Sequence, residues 1–188
     1  MLLKQNIWNN KNLVKILIGG GVVVMPTDTL YGIVGRADNK DVVSRIYETR
    51  KRAPSKPCII LISNIDDLSK FSVNVSEEQK NKIKEFVEHT SFILDCPNDS
   101  FEYLHRGTKT LAFRLPVNHE LQDLLKKTGP LIAPSANLEG MPPAENISEA
   151  QKYFGDSVDL YMDGGTIKGK ASRIIKLHKD GSVEVLRF

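Results

Sequence analysis

GGGVVVMPTDTLYGIVGRA, residues 19–37, contains a helix stop, a strand and a polar loop in succession. The three glycines end a helix that the apolar side chains predict over residues 6–18. VVVM (22–25) then predicts a buried strand, because it is a short run of β-branched and apolar residues. PTDTLYG (26–32) is predicted to be a polar loop at the carboxyl end of that strand. This order of helix, strand and polar loop is the start of an α/β arrangement.

Helical and extended patterns alternate along the rest of the chain. Helices are predicted over 40–50, 65–70, 118–127 and 146–154. A further helix is predicted after the capping-box sequence of residues 76–79, with Ile83, Phe86 and Val87 as its apolar stripe. Strands are predicted over 58–62, 91–95, 110–116, 131–134, 158–163, 172–177 and 182–188. The turn HKDG joins the last two strands and favours a hairpin. The pattern predicts an α/β fold with a twisted, open sheet of mixed parallel and antiparallel strands flanked by helices. One domain, residues 1–188, is expected because no repeat or linker divides the chain.

Composition is that of a globular protein, with 40% hydrophobic and 26% charged residues and a net charge of +3. Such a balance argues against a wholly disordered chain. Cys58 and Cys96 stand far apart and form no CxxC pair, so a disulfide framework is not indicated. No apolar run approaches the length of a membrane span, and the first residues lack the apolar core of a signal peptide. A cytoplasmic location is therefore expected.

Three polar stretches are candidates for a binding site. RKRAPSKP (50–57) follows a predicted helix and carries the candidate cations Arg50, Arg52 and Lys56, and its two prolines stiffen the loop. PSANLEGMPP (134–143) follows a predicted strand and carries Ser135 and Asn137 two residues apart. Together with 26–32, these loops are expected to meet at one crevice beside the strand ends.

Each stretch also has a purely structural interpretation. The basic run is compatible with a solvated surface turn. Ser135 and Asn137 are compatible with a turn stabilised by their own side chains. Asp28 and Thr29 are compatible with the cap of a following helix.

The candidate side chains of the three loops are mainly cations, hydroxyls and one amide. The four histidines share no metal-ligand spacing, and neither GxSxG nor HExxH is present, so a protein-bound metal and an isolated nucleophile are not predicted. Such a set suits a site that binds and aligns a nucleotide, where catalysis comes from positioning and charge stabilisation.

With the three loops in this order, the chain resembles the YrdC-like family of threonylcarbamoyl-AMP synthases over nearly its whole length. Residues 19–37 carry the strongest likeness, and the basic motif and the Ser-x-Asn of PSANLEG follow at the expected intervals. The resemblance implies a YrdC-like fold and a nucleotidyltransferase. This enzyme would make threonylcarbamoyl-AMP and pyrophosphate from L-threonine, bicarbonate and ATP, for threonylcarbamoyl-adenosine in tRNA next to the anticodon.

The resemblance also implies roles for individual residues. Catalysis would involve Arg50, Arg52, Ser135 and Asn137; ATP would contact Arg52, Lys56, Thr110, Ser135, Asn137 and Arg187; threonine would contact Thr29, Arg114 and Ser172. Arg50 stands where the family usually has lysine, and Lys51 is an alternative for that position. Mg²⁺ is expected on the ATP phosphates, and a separate threonylcarbamoyl transferase complex is the expected downstream partner.

Two other functions are compatible with parts of the sequence. The cations between residues 36 and 56 are also typical of a non-catalytic module that binds double-stranded RNA or tRNA. Against it, aromatic residues are only 7% of the chain, which leaves little for a stacking platform. A carbamoyl-transfer module of hydrogenase-maturation proteins is less compatible, because the chain has no room for their zinc-finger-like and acylphosphatase-like parts.

Overall fold

The computed structural model describes residues 7–86 and 89–188, and nine strands within them form one mixed sheet. The strands are β1 Val23–Pro26, β2 Tyr31–Arg36, β3 Ile59–Leu61, β4 Thr90–Asp95, β5 Thr110–Arg114, β6 Leu131–Ile132, β7 Leu160–Tyr161, β8 Arg173–Leu177 and β9 Val183–Arg187. Their order is β7-β1-β2-β6-β3-β5-β4-β8-β9. β3 runs parallel to β5, and β4 runs parallel to β8, whereas β6 lies antiparallel between β2 and β3.

Six α-helices in the described residues connect these strands. They are α1 Lys11–Ile18, α2 Lys40–Thr49, α3 Glu77–Glu85, α4 Glu102–His105, α5 His119–Thr128 and α6 Ile147–Phe154, with 3₁₀ turns at Ile7–Asn9, Ile65–Phe71, Asp99–Phe101 and Gly155–Ser157. The side chains of Asn10, Asn39, Asn118 and Asn146 each accept a backbone N–H of the first helical turn of α1, α2, α5 and α6. The predicted capping box of α3 is confirmed between Ser76 and Gln79. Local sequence therefore determines where these helices begin.

The sheet has a hydrophobic core on each face. α1 and α5 contribute Leu13, Leu17, Leu121, Leu124 and Leu125 to one core, together with Val23, Met25, Val34 and Leu61 from the strands. α2, α4 and α6 cover the other face and pack against alternate strand residues, among them Val22, Val24 and Ile33. The buried run 22–25 therefore divides its side chains between two cores, which explains why it is apolar throughout.

The predicted mixed sheet flanked by helices is confirmed, but the interpretation of 26–32 as a loop is wrong in part. Tyr31 and Gly32 begin β2, which forms an antiparallel hairpin with β1. A strand rather than a helix follows the turn, so the capping interpretation of Asp28 and Thr29 is also wrong. β6 is shorter than the predicted 131–134, and β7 is shorter than the predicted 158–163. Val87 and residue 6, which belong to predicted helices, lie outside the described residues.

The predicted hairpin at the end of the chain is confirmed, since β8 and β9 pair antiparallel. Within residues 7–86 and 89–188, every helix is too short or too polar to extend through a lipid bilayer.

Candidate functional site

A cleft of about 290 Å³ brings the three predicted loops together. Its lining includes Thr27, Thr29, Arg50, Arg52, Pro57, Cys58, Ile59, Arg114, Ser135, Ala171, Ser172 and Arg187. The volume is at the lower end of the range for small-molecule sites. The predicted meeting of loops 26–32, 50–57 and 134–143 is therefore confirmed.

Strand register explains how residues far apart in sequence reach this cleft. Leu61 pairs with Arg114, Arg114 with Ser91, Ser91 with Ile174, and Ile174 with Arg187. Paired residues in neighbouring strands project to the same face of a sheet, so this row of side chains shares the face that carries α1 and α5. None of the residues that line the cleft belongs to α1 or α5.

Arg50 is buried in the wall of the cleft. Its Nε donates to the carbonyl of Asn137 at 3.1 Å, and its Nη2 donates to Asn137 Oδ1 at 3.0 Å. Ser135 Oγ donates to the same Oδ1 at 2.7 Å, so cation, hydroxyl and amide form one network. Arg50 Nη1 is buried and has no hydrogen-bond partner among the described residues. One nitrogen of this guanidinium is therefore buried in the wall without a hydrogen bond.

The end of α2 sets the direction of this arginine. Arg52 N donates to Tyr47 O at 2.9 Å, and Lys51 N donates to Glu48 O at 3.0 Å, which is the hydrogen-bond pattern of a Schellman motif. Lys51 occupies the left-handed position with φ of 51° and is exposed. Arg50 and Arg52 line the cleft on either side of it. The geometry favours Arg50 over Lys51 as the residue at the position of the family's lysine.

Arg114 is buried beside a carboxylate. Its Nη2 donates to Asp28 Oδ1 at 2.8 Å and lies 3.5 Å from Thr27 Oγ1. The side chains are 4% and 2% exposed respectively, so this is a desolvated ion pair. His89 Nδ1 lies 3.3 Å from the other Asp28 oxygen. Arg114 Nε is buried without a hydrogen-bond partner in the described part of the chain, which leaves this cation unsatisfied on one edge.

Arg187 extends from the outermost strand, β9, into the cleft. Its Nε and Nη2 donate to the carbonyl of Ser172 at 3.0 and 2.7 Å. Ser172 Oγ lies 2.9 Å from Ser91 Oγ, and both residues are buried. Thr29, the third residue predicted to contact threonine, is buried in the hairpin turn with its Oγ1 3.2 Å from Thr27 Oγ1.

Three further residues were predicted to contact ATP, and only one of them lines the cleft. Arg52 lines the cleft, but its Nε and Nη2 donate to the carbonyls of Lys56 and Pro57 at 3.0 Å. Lys56 forms an ion pair with Glu139 and does not belong to the cleft lining found in the described residues. Thr110, at the start of β5, donates to Thr108 Oγ1 at 3.2 Å and is likewise outside that lining.

Burial changes the pKa of three guanidinium groups in the same direction. It lowers the pKa of Arg50, to which nearby Arg52 adds, and it lowers the pKa of Arg187, to which Arg114 adds. Burial also lowers the pKa of Arg114, and the Asp28 carboxylate opposes that shift. Arginine stays charged at neutral pH despite such shifts. The cleft therefore concentrates positive charge and favours anionic ligands.

Asp28 belongs to this site, although the sequence suggested only a helix cap for it. The available signal was Arg114 itself, because an arginine inside the strand pattern TLAFRLP requires a buried counter-charge. The acid in PTDTLYG was a candidate for that charge, but only the hairpin turn places it against β5.

Comparison with known proteins gives consistent matches. The model of the protein family described as Sua5_yciO_yrdC, telomere recombination, matches residues 15–188. A threonylcarbamoyl-AMP synthase of Bacillus subtilis is 32% identical over 147 residues, which are 77% of this chain and 42% of the relative. The chain thus spans less than half the length of that relative.

Two solved structures share the fold. Sua5 of Pyrococcus abyssi complexed with L-threonine superimposes with a TM-score of 0.83 at 25% identity, covering 100% of this chain and 55% of that one. YciO of E. coli has a TM-score of 0.80 at 25% identity, covering 98% and 89%.

Proposed function

The chain belongs to the Sua5/YciO/YrdC family, and we propose that it is an L-threonylcarbamoyladenylate synthase. It would convert L-threonine, bicarbonate and ATP to threonylcarbamoyl-AMP and pyrophosphate, which makes it a nucleotidyltransferase. One observation carries the proposal: two buried arginines, Arg50 and Arg114, and the exposed Arg187 line one cleft together with serine and threonine hydroxyls. Such a cleft suits two anionic substrates better than one.

The proposed reaction joins a carbamate to the α-phosphorus of ATP. Bicarbonate supplies CO₂ by losing hydroxide, the threonine amine captures the CO₂ and loses a proton, and the proton and the hydroxide combine to water. An oxygen of the resulting carbamate attacks the α-phosphate in line. The bond from that phosphorus to the β-phosphate bridging oxygen breaks, and pyrophosphate leaves with the electron pair. Both reactants are negatively charged, so the arginines reduce their mutual repulsion as they approach. Mg²⁺ would be carried by the ATP phosphates.

Arg114 is the proposed partner of the threonine carboxylate. The pairing would use donors that Asp28 leaves free, and a planar guanidinium can hold two carboxylates on different edges. Thr29 and Ser172 also line the cleft, and their hydroxyls would contact the amino acid.

The proposed phosphate group consists of Arg50, Arg52, Ser135 and Asn137, with Arg187 closing over the nucleotide. A buried donor left without a partner costs about 1–3 kcal/mol. Arg50 Nη1 is such a donor among the described residues, and a phosphate oxygen would satisfy it once substrate binding exposes this nitrogen, which is buried in the wall. Lys56 would have to leave Glu139 to reach ATP. The predicted contact of Thr110 with the nucleotide remains part of the proposal. The product would pass to a separate transferase that modifies tRNA, in the cytoplasm.

Pyrophosphate release provides the test. We expect purified protein to release pyrophosphate from ATP only when L-threonine and bicarbonate are both present, and mass spectrometry to find threonylcarbamoyl-AMP. Omitting threonine is the control for simple ATP hydrolysis. A protein that releases no threonine-dependent pyrophosphate, but binds tRNA with a steep salt dependence unaffected by ATP, would instead be the RNA-binding module.

A further inference from the structure

A segment between β7 and β8, residues 163–171, lies across the β1–β2 turn; we call it the strap. Tyr31 Oη donates to the carbonyl of Gly165 at 2.8 Å and accepts from Gly164 N at 2.8 Å. Ile167 N donates to the carbonyl of Glu145 at 2.7 Å. The strap is thus fixed to the hairpin and to the loop before α6, and it leads directly into Ser172.

Gly169 is the point of closest approach between the strap and the turn. A Cβ atom built on Gly169 would overlap the carbonyl oxygen of Thr29 and lie 3.0 Å from its carbonyl carbon. The φ of Gly169 is outside the left-handed region, unlike that of Gly165 at 78°. Backbone conformation therefore does not require glycine at 169, whereas the space beside Thr29 does.

This contact closes a thin wall of the cleft. Thr29 and Ala171 line the cleft and also line a second hollow, which contains His89 and Lys170. The two spaces therefore share one residue of the turn and one residue of the strap. If the strap moved away from Thr29, the hollow and the cleft would join, and the hydroxyls of Thr29 and Ser172 would move apart.

We propose that Gly169 is a positioning residue that sets the width of the amino-acid subsite. The inference rests on the proposed function, which places threonine between Arg114, Thr29 and Ser172. Gly169 touches no substrate itself, and it acts through the position of the Thr29 backbone. A subsite that recognises one methyl group depends on such close walls, because a methyl contact discriminates by about 10- to 200-fold.

Gly169→Ala tests this inference. We expect the KM for threonine to rise at least about tenfold and the preference for threonine over serine to fall by a similar factor. The KM for ATP should change less than the KM for threonine, because the atoms nearest to Gly169 belong to Thr29 and Leu30 rather than to the loops of Arg50 and Ser135. A structural defect alone would lower the amount of active enzyme and leave both KM values and the preference unchanged.

Two further variants make the result interpretable. Tyr31→Phe keeps the buried ring but removes the two hydrogen bonds from Tyr31 Oη to the strap. We therefore expect the KM for threonine to rise in this variant as well, but by less than in Gly169→Ala. Gly107→Ala adds a methyl at a φ of 84°, where no described atom lies within 4 Å, and serves as the control for strain remote from the strap. If Gly169→Ala does not fold, Tyr31→Phe decides. Wild-type protein that makes no adenylate would refute the proposed function, whereas active protein with unchanged threonine kinetics in both variants would refute only this inference.

Discussion

Arg50 has a fixed position before any substrate binds, because Asn137 accepts from two of its nitrogens. Lysine at this position would keep the charge but could not hold both contacts. A hydrogen bond to a charged group contributes about 1.5–3 kcal/mol, and 1.4 kcal/mol corresponds to a factor of ten. We therefore expect Arg50→Lys to lower kcat/KM about tenfold and Arg50→Ala to lower it at least about a hundredfold. Steady-state pyrophosphate release at saturating threonine and varied ATP measures kcat/KM for both variants. Equal losses of kcat/KM in the two variants would contradict the role of the charge.

Asp28 and Arg114 form a buried pair whose members depend on each other. Asp28→Asn leaves the cation buried without its counter-charge, so we expect the free energy of unfolding to fall by about 3 kcal/mol. Replacing both residues, as Asp28→Asn with Arg114→Met, should cost less than the sum of the single changes. Urea denaturation at pH 7 measures the free energy of unfolding of the wild type, the two single variants and the double variant.

Asp123 provides the matched control for that cycle. It pairs with Lys126 at 2.8 Å, but both side chains are about 60% exposed. Asp123→Asn should leave the free energy of unfolding unchanged within the error of the measurement, because solvent screens an exposed ion pair. Additive effects of Asp28→Asn and Arg114→Met would contradict a direct dependence between the two residues.

Single residues of the cleft were predictable where they sit in loops of unusual composition. Arg50 and Ser135 belong to polar runs beside predicted strands, and the structure brings them into one network. Asp28 was not predictable in the same way, because an acid beside threonine is equally typical of a helix cap. Only the pairing of β1 with β2 distinguishes the two, and the glycines of β2 make that strand hard to recognise from the sequence.

At the scale of elements, the end of α2 contains a residue that is unfavourable for its conformation. Lys51 has φ of 51° at the position of a Schellman motif where glycine is common. We expect Lys51→Gly to raise the free energy of unfolding by about 0.5–1 kcal/mol, since a side chain in this region costs about 1–2 kcal/mol and glycine loses part of that gain through entropy. Chemical denaturation measures the change.

Lys51→Ala separates conformation from charge. It removes the same ammonium but keeps a Cβ, so it should give no gain in stability. Because Lys51 is exposed, kinetics should be close to wild type in both variants. Equal stabilisation by alanine and glycine would show that charge repulsion, rather than φ, is the cause.

β2 shows why one element escaped prediction. Its sequence, YGIVGR, contains two glycines, which are unfavourable within a strand and more typical of turns. The structure gives Gly35 another reason: a Cβ there would overlap the Val42 side chain of α2. The glycine allows close packing of helix on strand, a requirement that appears only when α2 is placed over the sheet.

At the scale of the whole molecule, the meeting of the loops was predictable but its geometry was not. Parallel strands would have placed the loops at their carboxyl ends. Instead, the loop at 50–57 precedes β3, and the loop at 134–143 follows β6, because these two strands are antiparallel. β6 comprises only two residues, and its insertion between β2 and β3 depends on partners about 70 to 100 residues earlier in the chain.

Asp159 joins distant parts of the molecule and gives the fold a predicted pH dependence. Its carboxylate accepts from Arg45 Nη1 at 2.6 Å, on α2, and from Val22 N at 2.7 Å, beside β1. The Arg45 hydrogen bond holds the pKa of Asp159 below its ordinary value, against a smaller opposing effect of burial. Because the folded pKa is the lower one, the pair stabilises the fold above about pH 4, and this contribution is lost as pH falls through the folded pKa.

Asp159→Asn should therefore lower the free energy of unfolding at pH 7 and approach wild type in acid. Both side chains are 39% exposed, so solvent screening keeps the expected loss at about 0.5–1 kcal/mol. Arg45→Met should show the same convergence, because it removes the main cause of the shifted pKa. Denaturant unfolding at pH 7, 5, 4 and 3 and constant ionic strength measures the difference. A difference that stays constant over this range would mean that the carboxylate acts through packing rather than through its charge.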